Sequence, residues 1–260
     1  MNNQLPDITD PDVTDPDVTD NAFLDGSLQI LQPRQGYRAA IDAVCLAAAV
    51  PARPGERVLD IGMGVGVTGL CLSKRVGGIE LHGLEIQADL AGLAVKNAKR
   101  NNIDDVHVVC GDIMAPPSAL EMESFDHVLT NPPFYDFHKA ISPPNESKSL
   151  AHMHDGADFI KGWLSQSVNF LKPQGTLTLV HPAEFLDALL GHLSGSLGDL
   201  VVFPLWPGNG KAAKRIIISG QKGTSGALRL LPGLRLHAPP RRYAPEAEAV
   251  LRGGQGIDLG

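Results

Sequence analysis

Five residues, Gly62-Met63-Gly64-Val65-Gly66, constrain the fold of this chain more than any other segment. An apolar run at residues 57–61 precedes them and indicates a buried strand, and the pattern of residues 67–76 indicates a helix. Glycine has no Cβ, so it lets the backbone turn sharply and approach a ligand closely. A strand, a glycine turn and a helix in this order predict a parallel α/β unit with a ligand at the turn.

The same alternation of strands and helices continues along the chain. Further strands are predicted at residues 79–86, 106–110, 125–129, 175–180, 200–205 and 215–219, and helices at 88–101, 157–171 and 183–193. This order predicts an α/β fold with a seven-stranded, mostly parallel sheet, helices on both faces and an antiparallel last strand pair. A hairpin at 23–32 and a helix at 39–50 predict a small N-terminal cap.

The chain is expected to divide into an acidic tail and one domain. Residues 1–21 repeat Thr-Asp-Pro-Asp-Val, and residues 1–20 contain six Asp and neither Lys nor Arg. Such a segment buries too little apolar surface to offset its ordering entropy, which predicts a disordered tail. Residues 22–255 are predicted to be the domain, with the cap at 22–50 and the core at 51–255.

Composition excludes several classes of protein. We find no apolar run of about 18–20 residues, so we expect no membrane partner. The N-terminus has no basic start followed by an apolar core, so we expect no secretory signal. Cys45, Cys71 and Cys110 lie among apolar neighbours without metal-ligand spacing. These features predict a cytoplasmic protein with reduced cysteines and no metal.

Acidic residues end three successive predicted strands, at Asp60, Glu85 and Asp112. Glu85 follows Gly66 by 19 residues, a spacing at which a carboxylate can accept both hydroxyls of an adenosine ribose. Asp112 could accept a hydrogen bond from an adenine amino group while Ile113 packs on the ring. A solvent-exposed or helix-capping Glu85 and an ordinary Gly-Asp turn remain the alternatives.

Residues 64–69 also satisfy the GxGxxG pattern of nicotinamide-dependent oxidoreductases. Asp60 argues against that class, because its carboxylate lies two residues before Gly62, where it would come near a pyrophosphate, and the two negative groups would repel each other. A ligand that carries an ammonium group would be attracted instead.

Asn131-Pro132-Pro133-Phe134 follows the strand predicted at 125–129. Two prolines remove two backbone donors and restrict two φ angles, so the turn is stiff. The Asn131 side chain and the Asn131 and Pro132 carbonyls are acceptors, and Phe134 has a flat apolar face. This set suits a planar group bearing an NH2, such as an adenine edge. An ordinary loop with a buried Phe is the alternative.

A basic stretch runs from residue 200 to 245 without Asp or Glu. It predicts a phosphate-facing surface, with a merely solvated basic face as the alternative. Its cations are Lys211, Lys214, Arg215, Lys222, Arg229, Arg235, Arg241 and Arg242. Nearer the N-terminus, Arg38 and Asp42 either reach a cofactor or are a loop Arg and a helix-capping Asp.

Residues 59–66, Glu85, Asp112 and residues 131–134 together resemble the ordered motifs of class I S-adenosylmethionine-dependent methyltransferases that act on planar amino groups. Residues 37–44, 84–87, 179–184 and 213–217 are similar to segments of bacterial tRNA(Val) adenine-N6 methyltransferases. The resemblance covers roughly residues 22–255. It departs from the family at Met63, where a small residue is common, and at His181-Pro182, where His-Arg is more usual.

The resemblance implies a Rossmann-like fold, S-adenosyl-L-methionine as cofactor, no metal, and methyl transfer to adenine N6 in RNA, with tRNA favoured. Guanine-N2 transfer to rRNA, glutamine-N5 transfer to protein and a non-catalytic RNA binder remain open. Lys211, Lys214 and Arg215 are then expected to bind RNA phosphates. The implied catalytic residues are Asn131, Pro132, Pro133 and Phe134. The expected cofactor contacts are Arg38, Asp42, Asp60, Gly62, Gly64, Gly66, Glu85, Ile86, Asp112, Ile113 and Asn131.

Overall fold

The computed structural model describes residues 17–35, 41–133 and 156–260. Arg38, Phe134 and residues 1–16 lie outside the described residues. The strands of the described part are β1 (Val18–Phe23), β2 (Leu28–Pro33), β3 (Arg57–Ile61), β4 (Glu80–Glu85), β5 (Val106–Cys110), β6 (Phe125–Thr130), β7 (Leu171–Pro182), β8 (Leu197–Trp206), β9 (Arg215–Lys222), β10 (Arg229–Leu230) and β11 (Leu234–Arg235). Its α-helices are α1 (Ile41–Ala49), α2 (Val67–Val76), α3 (Ala88–Arg100), α4 (Gly156–Asn169), α5 (Leu186–Leu193) and α6 (Pro245–Leu251).

The central sheet has the order β5-β4-β3-β6-β7-β9-β8, and β10 and β11 both pair with β8. Strands β3 to β7 pair in parallel, whereas β9 is antiparallel to both β7 and β8. The predicted fold class is therefore confirmed, including the antiparallel last pair. The two-residue strands β10 and β11 were not predicted, because so short a segment has no recognisable period.

Two apolar cores cover the two faces of the sheet. Strand β3 shows why, since alternate residues of a strand point to opposite faces. Val58 packs with α1, α2 and α6 in one core. Leu59 and Ile61 pack with α4 and α5 in the other core. Asp60 occupies a position on the Val58 face, so its carboxylate is directed toward α2, where it is almost fully buried.

The N-terminal hairpin begins earlier than predicted. Residues 18–21 were assigned to the disordered tail, but they belong to β1, which pairs with β2 over its whole length. Cross-strand partners supply the backbone hydrogen bonds that acidic composition alone does not reveal. Leu28 and Ile30 of β2 are fully buried, so the hairpin is packed against the domain.

Helix lengths and hydropathy bear on a membrane location. Throughout the ranges that the structure describes, we find no helix that combines the length and the apolar character needed to cross a bilayer.

Candidate active site

The carboxyl ends of β3, β4, β5, β6 and β7 lie at one edge of the sheet, because these five strands are mutually parallel. We call this side the carboxyl edge. Ligands of open α/β sheets bind outside such an edge. The residues predicted from separate motifs are brought together there: Gly62 after β3, Glu85 at the end of β4, Asp112 after β5 and Asn131 after β6.

The glycine turn adopts a conformation that requires glycine. Gly62, Gly64 and Gly66 have φ values of 71°, 58° and 90°, a region that residues with a Cβ rarely occupy. The amides of Gly62 and Met63 donate to the Leu84 carbonyl at 2.8 and 3.1 Å. The turn is thereby attached to the end of β4 before α2 begins.

Glu85 braces the same turn through its side chain. Its Oε2 accepts a 2.8 Å hydrogen bond from the Gly64 amide, and its Oε1 accepts one of 2.9 Å from the Gln87 amide. The residue is buried. Each carboxylate oxygen has two lone-pair directions, so each retains the capacity to accept a further donor such as a ribose hydroxyl.

Asp60 is a buried acid beside the helix that follows the turn. Its Oδ2 accepts a 3.0 Å hydrogen bond from the Gly69 amide of α2. Burial raises the pKa of Asp60 to about 7, the Glu85 charge adds to the rise, and the Gly69 hydrogen bond opposes it. Near neutral pH a cationic neighbour would therefore favour the ionised carboxylate.

Three further predicted cofactor contacts, Asp112, Ile113 and Ile86, lie just after β5 and β4. The Asp112 Oδ1 accepts a 2.9 Å hydrogen bond from the Met114 amide, which closes a tight turn after β5. Ile113 is buried in the core that includes Leu84. Ile86 is 56% exposed, so it presents an apolar face to solvent next to Glu85.

The Asn-Pro-Pro turn is connected to the glycine turn through Thr130. Thr130 faces Ile61 in the parallel register of β6 and β3. Its Oγ1 donates to the Ile61 carbonyl at 2.8 Å and accepts from the Trp163 Nε1 at 3.0 Å. Both Thr130 and Trp163 are buried. Asn131 follows directly, and its Oδ1 is shielded from solvent.

Trp163 also packs on the start of the glycine turn. A Cβ built on Gly62 would lie 3.2 Å from the Trp163 ring. Trp163 and Thr130 were not among the residues predicted for the site. The polar threonine at the end of an apolar strand was the available signal, since a buried hydroxyl needs partners.

The departure at Met63 has a structural explanation. The Met63 side chain is buried and lies over Gly83 of β4. A Cβ on Gly83 would come within 2.1 Å of the Met63 sulfur, so the glycine makes the space that methionine fills.

Asp42 contacts the basic stretch. It lies in the first turn of α1, and its Oδ2 accepts a 2.9 Å hydrogen bond from the Arg215 Nε at the start of β9. Two residues predicted to bind different ligands, the cofactor and RNA, thus form one ion pair.

One group in the described ranges has the composition of a metal site. Ligand atoms of Glu80, His82 and His107 lie within 4.8 Å of one another on β4 and β5. The Arg57 Nε, however, lies 3.1 Å from the Glu80 Oε1. Because that guanidinium already supplies positive charge, we describe the group as an ion-pair network on the strands, remote from the carboxyl edge.

The strand order and the glycine turn define the fold as Rossmann-like. The chain belongs to the methyltransferase small domain family, whose model matches residues 40–188. A solved structure from Agrobacterium tumefaciens, described as a predicted O-methyltransferase, has the same fold with a TM-score of 0.68 and 20% identity. It covers 84% of this chain and 98% of that protein.

Two relatives carry a more specific name. A Bacteroides thetaiotaomicron protein named tRNA1(Val) (adenine(37)-N6)-methyltransferase is 32% identical over 58% of this chain and 62% of its own length. A Glaesserella parasuis protein of the same name is 28% identical over 68% of this chain and 74% of its own length. The first alignment therefore spans less than two thirds of that relative.

The described residues fit S-adenosyl-L-methionine, the cofactor of this class. Apart from Gly64 and its two chain neighbours, no described residue has a heavy atom within 4 Å of a Cβ built on Gly64, so a ligand can approach the backbone there. Glu85 offers acceptors for ribose hydroxyls, Asp60 a carboxylate for an ammonium group, and Ile86 an apolar face for a base.

Proposed function

We propose that this chain transfers a methyl group from S-adenosyl-L-methionine to the N6 amino group of an adenine in RNA, and that the RNA is a tRNA. The attachment of the Asn-Pro-Pro turn to the glycine turn through Thr130 carries the proposal. With this attachment, residues 131 and 132 lie at the carboxyl edge, where we expect the cofactor to bind. The names of the two relatives support the choice of adenine and tRNA.

The chemistry assigned to the Asn-Pro-Pro turn is alignment. An exocyclic adenine amine is a weak nucleophile because its lone pair is delocalised into the ring. Hydrogen bonds from the amine to the Asn131 Oδ1 and the Pro132 carbonyl would pull its hydrogens from the ring plane and localise that lone pair. The nitrogen then attacks the methyl carbon in line as the carbon–sulfur bond breaks, and a proton leaves the amine for solvent.

Phe134 belongs to the same proposal. Phe134 lies outside the described residues. We assign to it the stacking of a base that has been removed from its own stack, as enzymes that modify bases require.

The basic stretch supports RNA as the substrate through its position. Strand β8 runs parallel to β7, since both are antiparallel to β9. The end of β8, the start of β9 and the connection between them therefore lie at the carboxyl edge. Lys211 and Lys214 are exposed in that connection, and Arg215 follows them. Cations beside the catalytic turn can bind phosphates that flank the target base.

The eight predicted cations do not form one surface. Lys222 ends β9 at the opposite edge, where its Nζ lies 2.9 Å from the Glu123 Oε1. Arg229 begins β10 beside Val201, near the middle of β8, and donates to the Leu259 and Gly260 carbonyls. The proposed phosphate-binding surface is therefore limited to the cations at the carboxyl edge.

His181 adds no cation to this surface. It lies on β7 opposite Ile216 of β9 and is buried. Its ring packs edge-on against the Phe185 ring, with 5.1 Å between the ring centroids. Burial lowers the pKa of His181 to about 4, and the Arg215 charge also lowers it. The ring is therefore neutral at physiological pH, and it does not replace the positive charge of the arginine more usual after it.

The test is an assay of products. The chain is incubated with methyl-labelled S-adenosylmethionine and total bacterial RNA or protein, and the labelled nucleosides and amino acids are identified. We expect N6-methyladenosine in the tRNA fraction. Label in N2-methylguanosine or N5-methylglutamine, or in no product, contradicts the proposal.

Asn131→Ala is the matched variant for this assay. We expect it to abolish transfer while binding of S-adenosylhomocysteine, measured by calorimetry, survives. Weakened cofactor affinity with intact transfer at saturation would instead assign Asn131 to the cofactor.

A further inference from the structure

Asn97 of helix α3 and Asn101, the residue that follows this helix, lie about one helical turn apart and face the N-terminal hairpin. Asn97 is fully buried on a helix face otherwise made of small residues such as Ala94 and Ala98. Its Oδ1 accepts from the Leu31 amide at 2.8 Å, and its Nδ2 donates to the Leu31 carbonyl at 3.0 Å. Asn97 thus pairs with strand β2 as a neighbouring strand would.

Asn101 repeats this pairing two residues earlier on β2. Its Oδ1 accepts from the Gln29 amide at 2.8 Å, and its Nδ2 donates to the Gln29 carbonyl at 2.7 Å. The two asparagines therefore make the same pair of hydrogen bonds to the hairpin. They provide a natural comparison between two neighbouring positions of one segment.

Among the described contacts, Asn97 differs from Asn101 in reaching the glycine turn. The Asn97 Nδ2 also donates to the Val65 carbonyl at 2.9 Å. Val65 lies between Gly64 and Gly66. One buried carboxamide therefore contacts both the hairpin and the turn that binds the cofactor.

This contact fixes the peptide between Val65 and Gly66 from both sides. The carbonyl of that peptide belongs to Val65 and accepts the hydrogen bond from Asn97. The N–H of the same peptide belongs to Gly66 and donates to the Met63 carbonyl at 3.0 Å. Glycine-rich backbone has many accessible conformations, so it loses much entropy when it is ordered. A turn that is already held in its bound shape avoids that loss when a ligand binds.

We propose that Asn97 is a positioning residue for the cofactor, and that it couples the N-terminal hairpin to the glycine turn. The proposal rests on cofactor binding at that turn, and it does not depend on which acceptor is methylated. Cofactor binding favours one turn shape, and the same shape is favoured when Asn97 is held by β2. The coupling must be reciprocal, so a bound cofactor also stabilises the hairpin.

The first experiment compares Asn97→Ala with Asn101→Ala by calorimetry with S-adenosylhomocysteine, without RNA. Each variant loses the two hairpin bonds, but Asn97→Ala also frees the Val65 carbonyl. We expect the Kd to rise about tenfold or more for Asn97→Ala and less than threefold for Asn101→Ala, with thermal unfolding recorded for both. Equal changes in Kd, or an unchanged Kd for Asn97→Ala, overturn the proposal.

The second experiment uses the unmodified chain, so it tests the proposal even if the Asn97→Ala variant does not fold. Hydrogen exchange is followed by mass spectrometry with and without S-adenosylhomocysteine. We expect the cofactor analogue to protect peptides covering β2 more than peptides covering β8. Strand β8 is the reference because α3 packs against β4 and β5, which lie at the other end of the sheet. Equal protection of β2 and β8, or none, contradicts the coupling. A failed product assay with intact coupling would refute the adenine assignment alone.

Discussion

The indole Nε1 of Trp163 donates a 3.0 Å hydrogen bond to the Oγ1 of Thr130, which joins α4 to the last residue of β6. The same hydroxyl donates to the Ile61 carbonyl at the end of β3. Three elements that are distant in sequence are thereby held at the point where the glycine turn and the Asn-Pro-Pro turn begin. We therefore expect the relative position of the two turns to depend on this buried hydroxyl.

Replacing Thr130 by valine tests this arrangement. Thr130→Val keeps the side-chain shape but leaves the Trp163 N–H and the Ile61 carbonyl without the hydroxyl, and a buried unsatisfied group costs about 1–3 kcal/mol. We expect a decrease of unfolding free energy in this range for each group, measured by urea denaturation, and a lower kcat. Thr178→Val is the control, because the Thr178 hydroxyl has Ser219 as its buried hydroxyl partner on the neighbouring strand. Equal decreases of unfolding free energy and of kcat for the two variants would argue against a special role for Thr130.

Glu85→Gln is expected to weaken cofactor binding. Glutamine has an NH2 donor in place of one carboxylate oxygen, so either the Gly64 or the Gln87 amide faces a donor instead of an acceptor. Glutamine also lacks the charge that strengthens hydrogen bonds from ribose hydroxyls. We expect the Kd for S-adenosylhomocysteine to rise about tenfold or more in calorimetry, since a bond to a charged group is worth about 1.5–3 kcal/mol. Glu80→Gln, at the other end of β4, should leave that Kd unchanged. A comparable rise for Glu80→Gln would mean that the effect is transmitted through the strand.

The raised pKa of Asp60 predicts a pH dependence of stability. The carboxyl has a pKa of about 7 in the folded chain and an ordinary value of 3.8, so the folded state retains the proton between these values. Stability therefore falls as the pH rises from about 4 to 7, and a pKa displaced by one pH unit corresponds to about 1.4 kcal/mol. The asparagine of Asp60→Asn cannot ionise, so the variant should not lose stability through this group. The unfolding free energy of the variant minus that of the natural chain should therefore increase as the pH rises from about 4 to 7. Parallel pH profiles for the two proteins would disprove the assignment.

Cofactor affinity should respond to the same ionisation in the opposite sense. The ammonium group of S-adenosylhomocysteine favours the charged carboxylate, so we expect its Kd to decrease between pH 6 and 8 in the natural chain. Asp60→Asn should remove most of this dependence. A pH profile that the substitution leaves intact would place the titrating group elsewhere.

The lysines of the β8–β9 connection are expected to set the salt dependence of RNA binding. Neutralising Lys211 and Lys214 should weaken tRNA binding and lower the slope of log K against log salt by roughly 0.7–0.9 for each phosphate that no longer has a cation beside it. Lys222→Gln is the control, since Lys222 lies at the opposite edge and pairs with Glu123. An unchanged slope in the double variant, or an equal change in the control, would exclude this surface as the RNA site.

Local patterns were sufficient for most of the architecture. The helix at residues 67–76 and the strand at 106–110 are found with the predicted bounds. Both follow from backbone preferences and from the period of apolar residues, which act over a few neighbours. The tail boundary was wrong for the opposite reason. Residues 18–21 have the composition of the acidic tail, and only their pairing with β2 makes them a strand.

The candidate site divides in the same way. The glycine turn, Glu85, Asp112 and the Asn-Pro-Pro turn could be recognised because each is a short motif at the end of a predicted strand. Parallel strands then place these ends at one edge, whatever the order of the strands. Asn97 was missed because its function depends on two partners, at residues 31 and 65, that are far from it in sequence.

The sequence by itself therefore determined the kind of fold, the strand that bears each motif and the cofactor that such motifs suit. Only the tertiary structure decided that Asp42 pairs with Arg215, that Trp163 supports Thr130, and which cations share the edge with Asn131. Turn shape and strand formation depend on neighbouring residues, whereas these pairings depend on the order of strands in the sheet. That order is set by packing between distant segments, which no local pattern contains.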